Sequence, residues 1–210
     1  AASDVYKRQP KDIPAARANF EMDVVQMQRA LSEFLRAAGL PDAAEGEAPG
    51  KSAEAWASEL LSGYGHDPVE VLGAAWPDES SELVVVSGIP FVSVCAHHLL
   101  PFYGVAHVAY LPGGQLVGLS RLAALVDCLA SRLQIQEQLS EQVCEVLMEG
   151  AVARGAACAL RASHDCVGAR KVQYSGSQVQ TFAYRGAFVD DQMLRNEFLQ
   201  LVQARESLED

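Results

Sequence analysis

The segment 92-VSVCAHHLLPF-102 sets one thiol and two imidazoles between strand-like residues and a proline. Cys95 and His98 are three residues apart, and a turn or a bent strand end can aim both side chains at one point, as in many zinc sites. Zinc takes four ligands, so this pair is incomplete. The segment therefore predicts a strand that ends at a metal site and needs a ligand from a distant part of the chain.

Cys166 is the best third ligand, because it ends the alternating segment 157-ACALRASHDC-166. Alternation predicts a strand, and in a strand His164 and Cys166 would point to the same side. Three protein ligands leave a fourth position for water, which is the arrangement of a catalytic zinc site. The alternative for a cysteine is a small buried apolar residue, and we prefer it for the three in apolar patterns: Cys128, Cys144 and Cys158.

Two histidines of these segments, His97 and His164, remain outside the ligand set. An imidazole beside a zinc-activated water is well suited to move protons near pH 7. The alternative is a core or surface histidine held by a backbone hydrogen bond, and we prefer it for His66 and His107, which have no such neighbours in the sequence. His97 and His164 are therefore the candidate acid–base residues.

The composition limits the class of protein. The 210 residues are 50% hydrophobic and 20% charged, which is typical of a soluble globular chain. The net charge of −11 argues against nucleic-acid binding but allows a local basic pocket for an anionic substrate. No apolar run approaches the roughly 20 residues of a membrane span, no signal-peptide pattern begins the chain, and the five scattered cysteines fit a reducing compartment. We expect a cytoplasmic protein.

The sequence divides into three regions. Residues 1–18 have no clear pattern and are expected to form a disordered tail, residues 19–80 are expected to be helical, and residues 81–210 are expected to form the catalytic domain. The predicted elements of the helical region are a helix over 19–38 capped by Asn19, a loop over 40–51 and a short helix over 52–61.

The domain over 81–210 mixes strand and helix patterns. Turn signals separate its first strands at 88–90 and 112–114, Ser120 is expected to cap a helix, and Gly155 is expected to end a longer one. This order predicts an α+β fold, in which an antiparallel sheet is backed by two helices that lie between pairs of strands. The predicted strands cover 82–87, 91–95, 103–111, 115–119, 157–166 and 178–185, and the predicted helices cover 120–131, 136–154 and 190–206.

Other residues are candidates to bind a substrate. Gln136 and Glu137 begin the long predicted helix, and an adjacent amide and carboxylate can read the edge of a purine, although acidic residues are also common at helix starts. Lys51, Arg121 and Arg170 are candidates to contact phosphates. Taken singly, each of these cations is equally an ordinary surface residue.

Together these motifs resemble the GTP cyclohydrolase I family over about residues 20–203. The resemblance implies a catalytic zinc held by Cys95, His98 and Cys166. It implies these further roles: acid–base catalysis by His97 and His164, guanine recognition by Gln136 and Glu137, and contacts to the ribose and phosphates by Ser120 and Arg170. The blocks that carry it are 60-LLSGYGHDP-68, 92-VSVCAHHLLPFYGVAHVAYLP-112, 117-VGLSRL-122, 134-QIQEQLSEQV-143, 164-HDCVGAR-170 and 186-GAFVDDQMLRNEFL-199.

The resemblance also implies a reaction and an assembly. In that family a zinc-activated water attacks C8 of GTP while the residue matching His164 protonates N7. The imidazole ring opens, formate leaves, and the ribose opens with help from the residue matching His97. Ring closure then gives 7,8-dihydroneopterin triphosphate, for pterin and tetrahydrofolate biosynthesis. The implied fold is the tunnelling fold, with an N-terminal helical arm and with subunits joined into a barrel, in a homo-oligomeric decamer of two pentamers whose active sites lie at subunit interfaces.

Most departures from the family pattern affect residues that are expected to bind the phosphates. An Arg fork and a Lys point charge bind phosphate differently, and an uncompensated loss of one cation costs about 1–3 kcal/mol of binding. Two alternatives therefore stay open: a paralogue with the same ring-opening chemistry on a less phosphorylated or modified guanine, and an inactive structural or regulatory oligomer. The departures are Ala96 for Glu, Arg121 for Lys, Ala124 for a basic residue, Lys51 for Arg and Lys171 for Gly.

Overall fold

The computed structural model describes residues 20–77, 79, 82–169 and 176–206. The tail expected over residues 1–18 lies outside the described residues, and so do Arg170 and Lys171. Within the described part, a helical region precedes a mixed α+β domain.

The N-terminal region contains more helix than predicted. Helix α1 (Val24–Ala37) begins after Asn19, because the Asp23 carboxylate accepts a hydrogen bond from the Gln26 N–H at 2.9 Å and caps the helix. The predicted loop over 40–51 was wrong, because proline suits the first turn of a helix, where its missing N–H leaves no bond unmade. The elements that follow α1 are α2 (Pro41–Glu45), α3 (Ala48–Ala55), a π-helical turn (Trp56–Leu60), a 3-10 turn (Ser62–Gly65) and α4 (Pro68–Leu72).

The strands are β1 (Trp76–Pro77), β2 (Val84–Cys95), β3 (Pro101–Leu111), β4 (Gln115–Leu116), β5 (Leu133–Gln134), β6 (Gly155–His164) and β7 (Gln178–Gly186). Five of them form a sheet in the order β5-β2-β3-β6-β7, which is antiparallel except between β2 and β5. Strand β2 is continuous where two strands were predicted. The turn predicted at 88–90 is a β-bulge between Val86 and Ile89, in which Gly88 takes a positive φ of 76°.

Helices α5 (Leu119–Ala130) and α6 (Gln136–Gly150) cover one face of the sheet and form the main core with it. Ser120 does not cap α5, because Gly118 is the N-cap residue and Ser120 is exposed in the first turn. Helix α6 ends before Gly155, because Val152 takes a left-handed φ of 48°. The fully buried apolar side chains of this layer include Phe102, Tyr110, Leu122, Leu125, Leu129, Leu139, Leu147 and Leu160.

The C-terminal helices α7 (Ala187–Asp190) and α8 (Gln192–Glu206) pack on the opposite face. Alanines on the strands, including Ala109 and Ala157, leave room for Phe188 and Phe198 to approach the sheet. Helix α8 begins at Gln192 because the Asp191 carboxylate accepts hydrogen bonds from two N–H groups of its first turn, at 2.8 and 3.0 Å.

The α+β prediction is confirmed, with two helices between pairs of strands. Among the described residues, both edges of the five-stranded sheet are open over most of their length. Strand β7 pairs only with β6, and β2 meets β5 only at Val94 and Cys95. No helix in the described ranges is long and apolar enough to span a membrane.

Candidate active site

A tight turn after β2 folds His98 back toward Cys95. The Cys95 carbonyl oxygen accepts hydrogen bonds from the N–H groups of His98 and Leu99, at 3.3 and 2.9 Å, and Leu99 takes a positive φ of 54°. The Cys95 N–H in turn donates to the Leu100 carbonyl at 2.9 Å. As a result, Cys95 Sγ lies 3.7 Å from His98 Nδ1. The turn predicted from the three-residue spacing is therefore present.

Cys166 joins this pair from the end of β6. Strand β6 ends at His164, and Cys166 lies in the turn that follows, where the N–H groups of Val167 and Gly168 donate to the His164 carbonyl at 3.0 and 2.8 Å. The strand predicted over 157–166 was therefore displaced by two residues toward the C-terminus, since β6 covers 155–164. The ligand atoms of Cys95, His98 and Cys166 nevertheless all lie within 4.8 Å of one another.

This donor set fits a tetrahedral metal ion. Zn–S bonds of about 2.3 Å and Zn–N bonds of about 2.0–2.1 Å place neighbouring ligand atoms roughly 3.5–3.8 Å apart. The separation of Cys95 Sγ and His98 Nδ1 already falls in that range. Both cysteines are 7% exposed whereas His98 is exposed, so the cluster is buried on its thiol side and open on its imidazole side. Two thiols, one imidazole and an open side fit a catalytic zinc site better than a closed structural one.

His164 stands directly beside the cluster. Its pairing partner across β3 and β6 is Phe102, and the two rings are stacked with centroids 4.7 Å apart and planes 1° from parallel. His164 Nδ1 lies 4.0 Å from Cys166 Sγ. Burial lowers the pKa of His164, and the negative charge of Glu137 acts in the opposite direction. The ring is thus stacked on Phe102, half-buried and next to the candidate metal ligand Cys166.

His97 also lies at the cluster but is exposed. Its ring is 6.2 Å from the ring of His98 and almost perpendicular to it. Ala96, where a carboxylate was expected by resemblance, is half-buried, and its N–H extends the β2–β5 pairing by donating to the Gln134 carbonyl at 2.9 Å. His97 is therefore an exposed imidazole next to the candidate ligand His98.

Gln136 and Glu137 begin helix α6 next to His164, but their environments differ. Gln136 is 1% exposed, and its side chain bonds His164 on one side and the strands β6 and β7 on the other. Glu137 is exposed and acts electrostatically on His164. Of the two residues predicted to read a base, Glu137 is the one whose side chain is accessible.

Ser120 and Arg121 lie at the far end of α5 from the cluster. The C-terminal end of α5 touches β2 beside the cluster, where Ser93 Oγ donates to the Ala130 carbonyl at 2.7 Å. Ser120 precedes Ala130 by ten residues, which is about 15 Å along a helix. The first turn of α5 is exposed, and the Arg121 side chain lies over Gly73 and Gly118.

The two remaining basic candidates are not brought to the cluster by the described contacts. Lys51 lies on α3, which packs against α1, and its ammonium group forms an exposed ion pair with Glu47 at 2.6 Å. Arg170 lies outside the described residues. Within the described residues, the structure unites the candidate metal ligands with His97, His164, Gln136 and Glu137, and no described contact brings Lys51, Ser120 or Arg121 to them.

Phe102 is a site residue that the sequence did not single out. It supports the His164 ring only because β3 and β6 pair in the register that sets these two residues opposite each other. Its one signal was its position directly after Pro101 in the histidine segment. Pairing register between strands more than fifty residues apart cannot be read from local spacing.

Comparison with known proteins agrees with the geometry. The family profile described as GTP cyclohydrolase I matches residues 27–203. Proteins named GTP cyclohydrolase 1 are similar to this chain: that of Campylobacter jejuni subsp. doylei is 46% identical over 144 residues, covering 68% of this chain and 76% of the relative. That of Corynebacterium aurimucosum is 39% identical over 197 residues, covering 92% and 98%. A solved archaeosine synthase QueF-Like in the apo form matches with a TM-score of 0.43 and 19% identity over 52% of this chain and 98% of its own, a likeness too weak to carry an argument.

Proposed function

The chain belongs to the GTP cyclohydrolase I family of hydrolases, and on this premise we propose that it opens the imidazole ring of GTP by hydrolysis at C8, releases formate and forms 7,8-dihydroneopterin triphosphate. The family resemblance seen in the sequence is thereby confirmed. The observation that carries the proposed activity is the convergence of Cys95, His98 and Cys166 with His164 at their side. Such a set of residues is suited to hydrolysis near neutral pH.

The proposed cofactor is Zn²⁺, held by Cys95, His98 and Cys166 with one position left for water. When bound, zinc would supply a Lewis acid that lets water act as a nucleophile near pH 7. Two of the three proposed ligands are thiols, which favours a thiophilic metal. Both thiols are buried, so this side of the site is shielded from bulk water.

The residues around the metal site divide the remaining work. We assign to His164 the protonation of N7, since it is fixed in place beside the cluster. His97, exposed on the open side, is assigned the later proton transfers that open the ribose. Glu137 is assigned the recognition of the guanine edge, because a carboxylate accepts hydrogen bonds from the ring N–H and amino groups of guanine. Recognition by Gln136 would require its present hydrogen bonds to break.

We propose that the complete site contains residues of more than one copy of this chain. Ser120 and Arg121 suit the ribose and phosphates, since both are exposed in the first turn of α5 and offer a hydroxyl and a guanidinium to an anion. They lie about 15 Å along α5 from its C-terminal end, which is the end that contacts β2 two residues before Cys95, so a neighbouring copy is the better source for the phosphate side. The open edges of the sheet, β2 and β7, support assembly into the barrel of the tunnelling fold and a homo-oligomer of the family's decameric kind.

A second candidate substrate is a guanine nucleotide with fewer phosphates. The observation that favours it is Lys51, whose ammonium group is paired with Glu47 on the helical arm instead of standing free for a phosphate. The ring-opening chemistry would be the same in both cases. All five cysteines lie within the described residues and none forms a disulfide there, which supports the proposed cytoplasmic location.

Turnover of a substrate panel tests these proposals. Purified zinc-loaded protein is incubated with GTP, GDP, GMP and guanosine, and formate and the fluorescent pterin formed after oxidation are measured. Formate and pterin from GTP support the main proposal. Turnover of GMP or guanosine without turnover of GTP supports the second candidate. Stoichiometric zinc with no formate from any of the four compounds would rule out both proposed substrates and leave an inactive structural or regulatory oligomer.

A further inference from the structure

The surroundings of Gln136 fix which end of its amide faces His164. Gln136 Nε2 lies 3.0 Å from the Val179 carbonyl oxygen, 3.2 Å from the Leu160 carbonyl oxygen and 3.3 Å from Thr181 Oγ1. Carbonyl oxygens only accept hydrogen bonds, so the NH₂ end of the amide must point at them. The oxygen, Oε1, is therefore the end that points at His164.

This orientation determines where the imidazole of His164 carries its hydrogen. Gln136 Oε1 lies 2.7 Å from His164 Nε2. An amide oxygen has no hydrogen to give, so Nε2 must be the donor, in the neutral ring as well as in the imidazolium. The hydrogen that the ring exchanges with a substrate is then the one on Nδ1, which lies on the side of Cys166 Sγ at 4.0 Å. In this orientation the ring is stacked on Phe102.

We propose that Gln136 is a positioning residue, which holds His164 in the tautomer with its hydrogen on Nε2 and thereby presents Nδ1 to the purine. This inference rests on the proposed function, which assigns His164 as the acid. In the step concerned, the Nδ1–H bond of the imidazolium breaks, an N7–H bond forms on the guanine, and the ring is left neutral with Nε2–H still bound to Gln136. Because both ends of the amide are used within the chain, base recognition falls to Glu137.

The competing explanation is that Gln136 only ties α6 to β6 and β7. Gln142 offers a matched control, since it is a buried glutamine on the same helix that also bonds another part of the fold. Its Oε1 accepts a hydrogen bond from Gln134 Nε2 at 2.9 Å. A purely structural role predicts similar effects from replacing either glutamine, whereas a positioning role predicts a catalytic effect at Gln136 alone.

The test combines solid-state ¹⁵N NMR of histidine-labelled protein with kinetics, using wild type, Gln136→Met and Gln142→Met, each loaded with zinc. The chain has five histidines, and the His164 signals are identified by their loss in His164→Ala. At about pH 8.5, where neutral imidazole dominates, the wild type should show a protonated Nε2 and an unprotonated Nδ1 at His164. Gln136→Met should lose that preference and lower kcat about 10–100-fold with a nearly unchanged KM and zinc content. Gln142→Met should keep both the tautomer and kcat.

Each outcome bears on the inference directly. A wild-type His164 with its hydrogen on Nδ1 would overturn it, whatever the variants do. So would a Gln136→Met protein that keeps the wild-type tautomer, or one in which kcat falls no further than in Gln142→Met. If the wild type shows the expected tautomer but turns over no guanine nucleotide, the proposed function fails while the arrangement of Gln136 and His164 stands. If GTP is turned over and Gln136→Met remains fully active, the function stands and the positioning role fails.

Discussion

His164 carries more of the proposed chemistry than any other side chain that is not a metal ligand. It is held by Phe102 on its face and by Gln136 on its edge, so its replacement should remove an acid without moving the cluster. We expect His164→Ala to slow formate release from GTP by about 10²–10⁴-fold. Zinc stoichiometry should stay at the wild-type value, since Cys95, His98 and Cys166 remain. Formate release and metal content of the purified variant are the measurements.

The control for this substitution is His66→Ala. His66 is exposed, and the hydrogen bond that it accepts from Arg132 at 2.9 Å is made by its backbone carbonyl, so that His66→Ala retains this contact. The control should keep wild-type turnover. Full activity in His164→Ala, or loss of its zinc, would contradict the role assigned here.

The cysteines should differ sharply in reactivity. Burial raises the pKa of Cys144 to about 12 and that of Cys158 well above its usual value. A raised pKa means less thiolate, so at about pH 8.5 fewer than roughly one Cys144 in a thousand is ionised. We expect iodoacetamide to leave Cys144 and Cys158 unmodified in the native protein. Peptide mapping by mass spectrometry measures this.

Metal removal should change the pattern only at the cluster. With zinc bound, Cys95 and Cys166 should also resist alkylation, and a chelator should expose these two while Cys144 and Cys158 stay protected until the chain unfolds. Alkylation of Cys144 in the folded protein at the rate of Cys95 would show that the core is open. Equal rates for Cys95 with and without chelator would contradict the assigned ligand set.

Among the elements, the 3-10 turn at Ser62–Gly65 holds the C-terminal end of α5, which contacts β2 at Ser93, two residues before the candidate metal ligand Cys95. The Gly63 N–H donates to the Ser131 carbonyl at 2.9 Å, and its carbonyl accepts a hydrogen bond from Arg132 Nε at 3.1 Å. A Cβ on Gly63 would overlap the Cys128 carbonyl oxygen and lie 2.8 Å from that of Ser131. The turn and the helix end can approach this closely only because residue 63 is glycine.

Gly63→Ala should therefore lower the free energy of unfolding by about 1–3 kcal/mol, through overpacking against backbone atoms that cannot move aside singly. Gly65→Ala, two residues on, is the control, because a Cβ there meets nothing within 4 Å. It should change stability by less than about 0.5 kcal/mol. Urea denaturation of the two variants makes the comparison, and equal midpoints would show that the turn relaxes freely.

Element types were predictable from the sequence where the hydrophobic period was strong, and less so where local chemistry competed with it. The pattern of α6 and of the paired strands β3 and β6 could be read directly. The prolines of the 40–51 segment suggested a loop, although proline is also favoured in the first helical turn. The bulge at Gly88 looked like a chain reversal, because a positive-φ glycine serves both purposes.

The candidate site could be predicted as a set of residue types and only in part as a geometry. The three-residue spacing of Cys95 and His98 places them on one turn, so their proximity is a local property. The burial of Gln136 behind His164 depends on how α6 packs on β6 and β7, which is a tertiary property that no spacing encodes. For this reason the sequence predicted the same role, recognition of the base, for Gln136 and Glu137, although Gln136 is buried and Glu137 is exposed.

At the scale of the whole molecule, the position of Ser120 and Arg121 at the end of α5 opposite to its contact with β2 leads to a testable prediction about assembly. If the phosphate side comes from a neighbouring copy, a chain with Cys95→Ala and a chain with Ser120→Ala and Arg121→Ala are each inactive or nearly so as homo-oligomers. Mixed oligomers of the two should regain activity, because some sites then combine an intact cluster with an intact phosphate side. Random assembly of equal amounts gives about one quarter of the sites intact.

The two variants are co-expressed with different affinity tags, mixed oligomers are isolated by two successive purifications, and formate release is measured per site. Recovery toward a quarter of the wild-type rate supports a site shared between copies. A site built from one chain gives no recovery, since every chain of the mixture is defective. As a control, Cys95→Ala mixed with Cys166→Ala must stay inactive, because both ligands belong to one chain's cluster. Recovery in that control would mean that the cluster itself is assembled between copies, against the geometry of Cys95, His98 and Cys166 within a single chain.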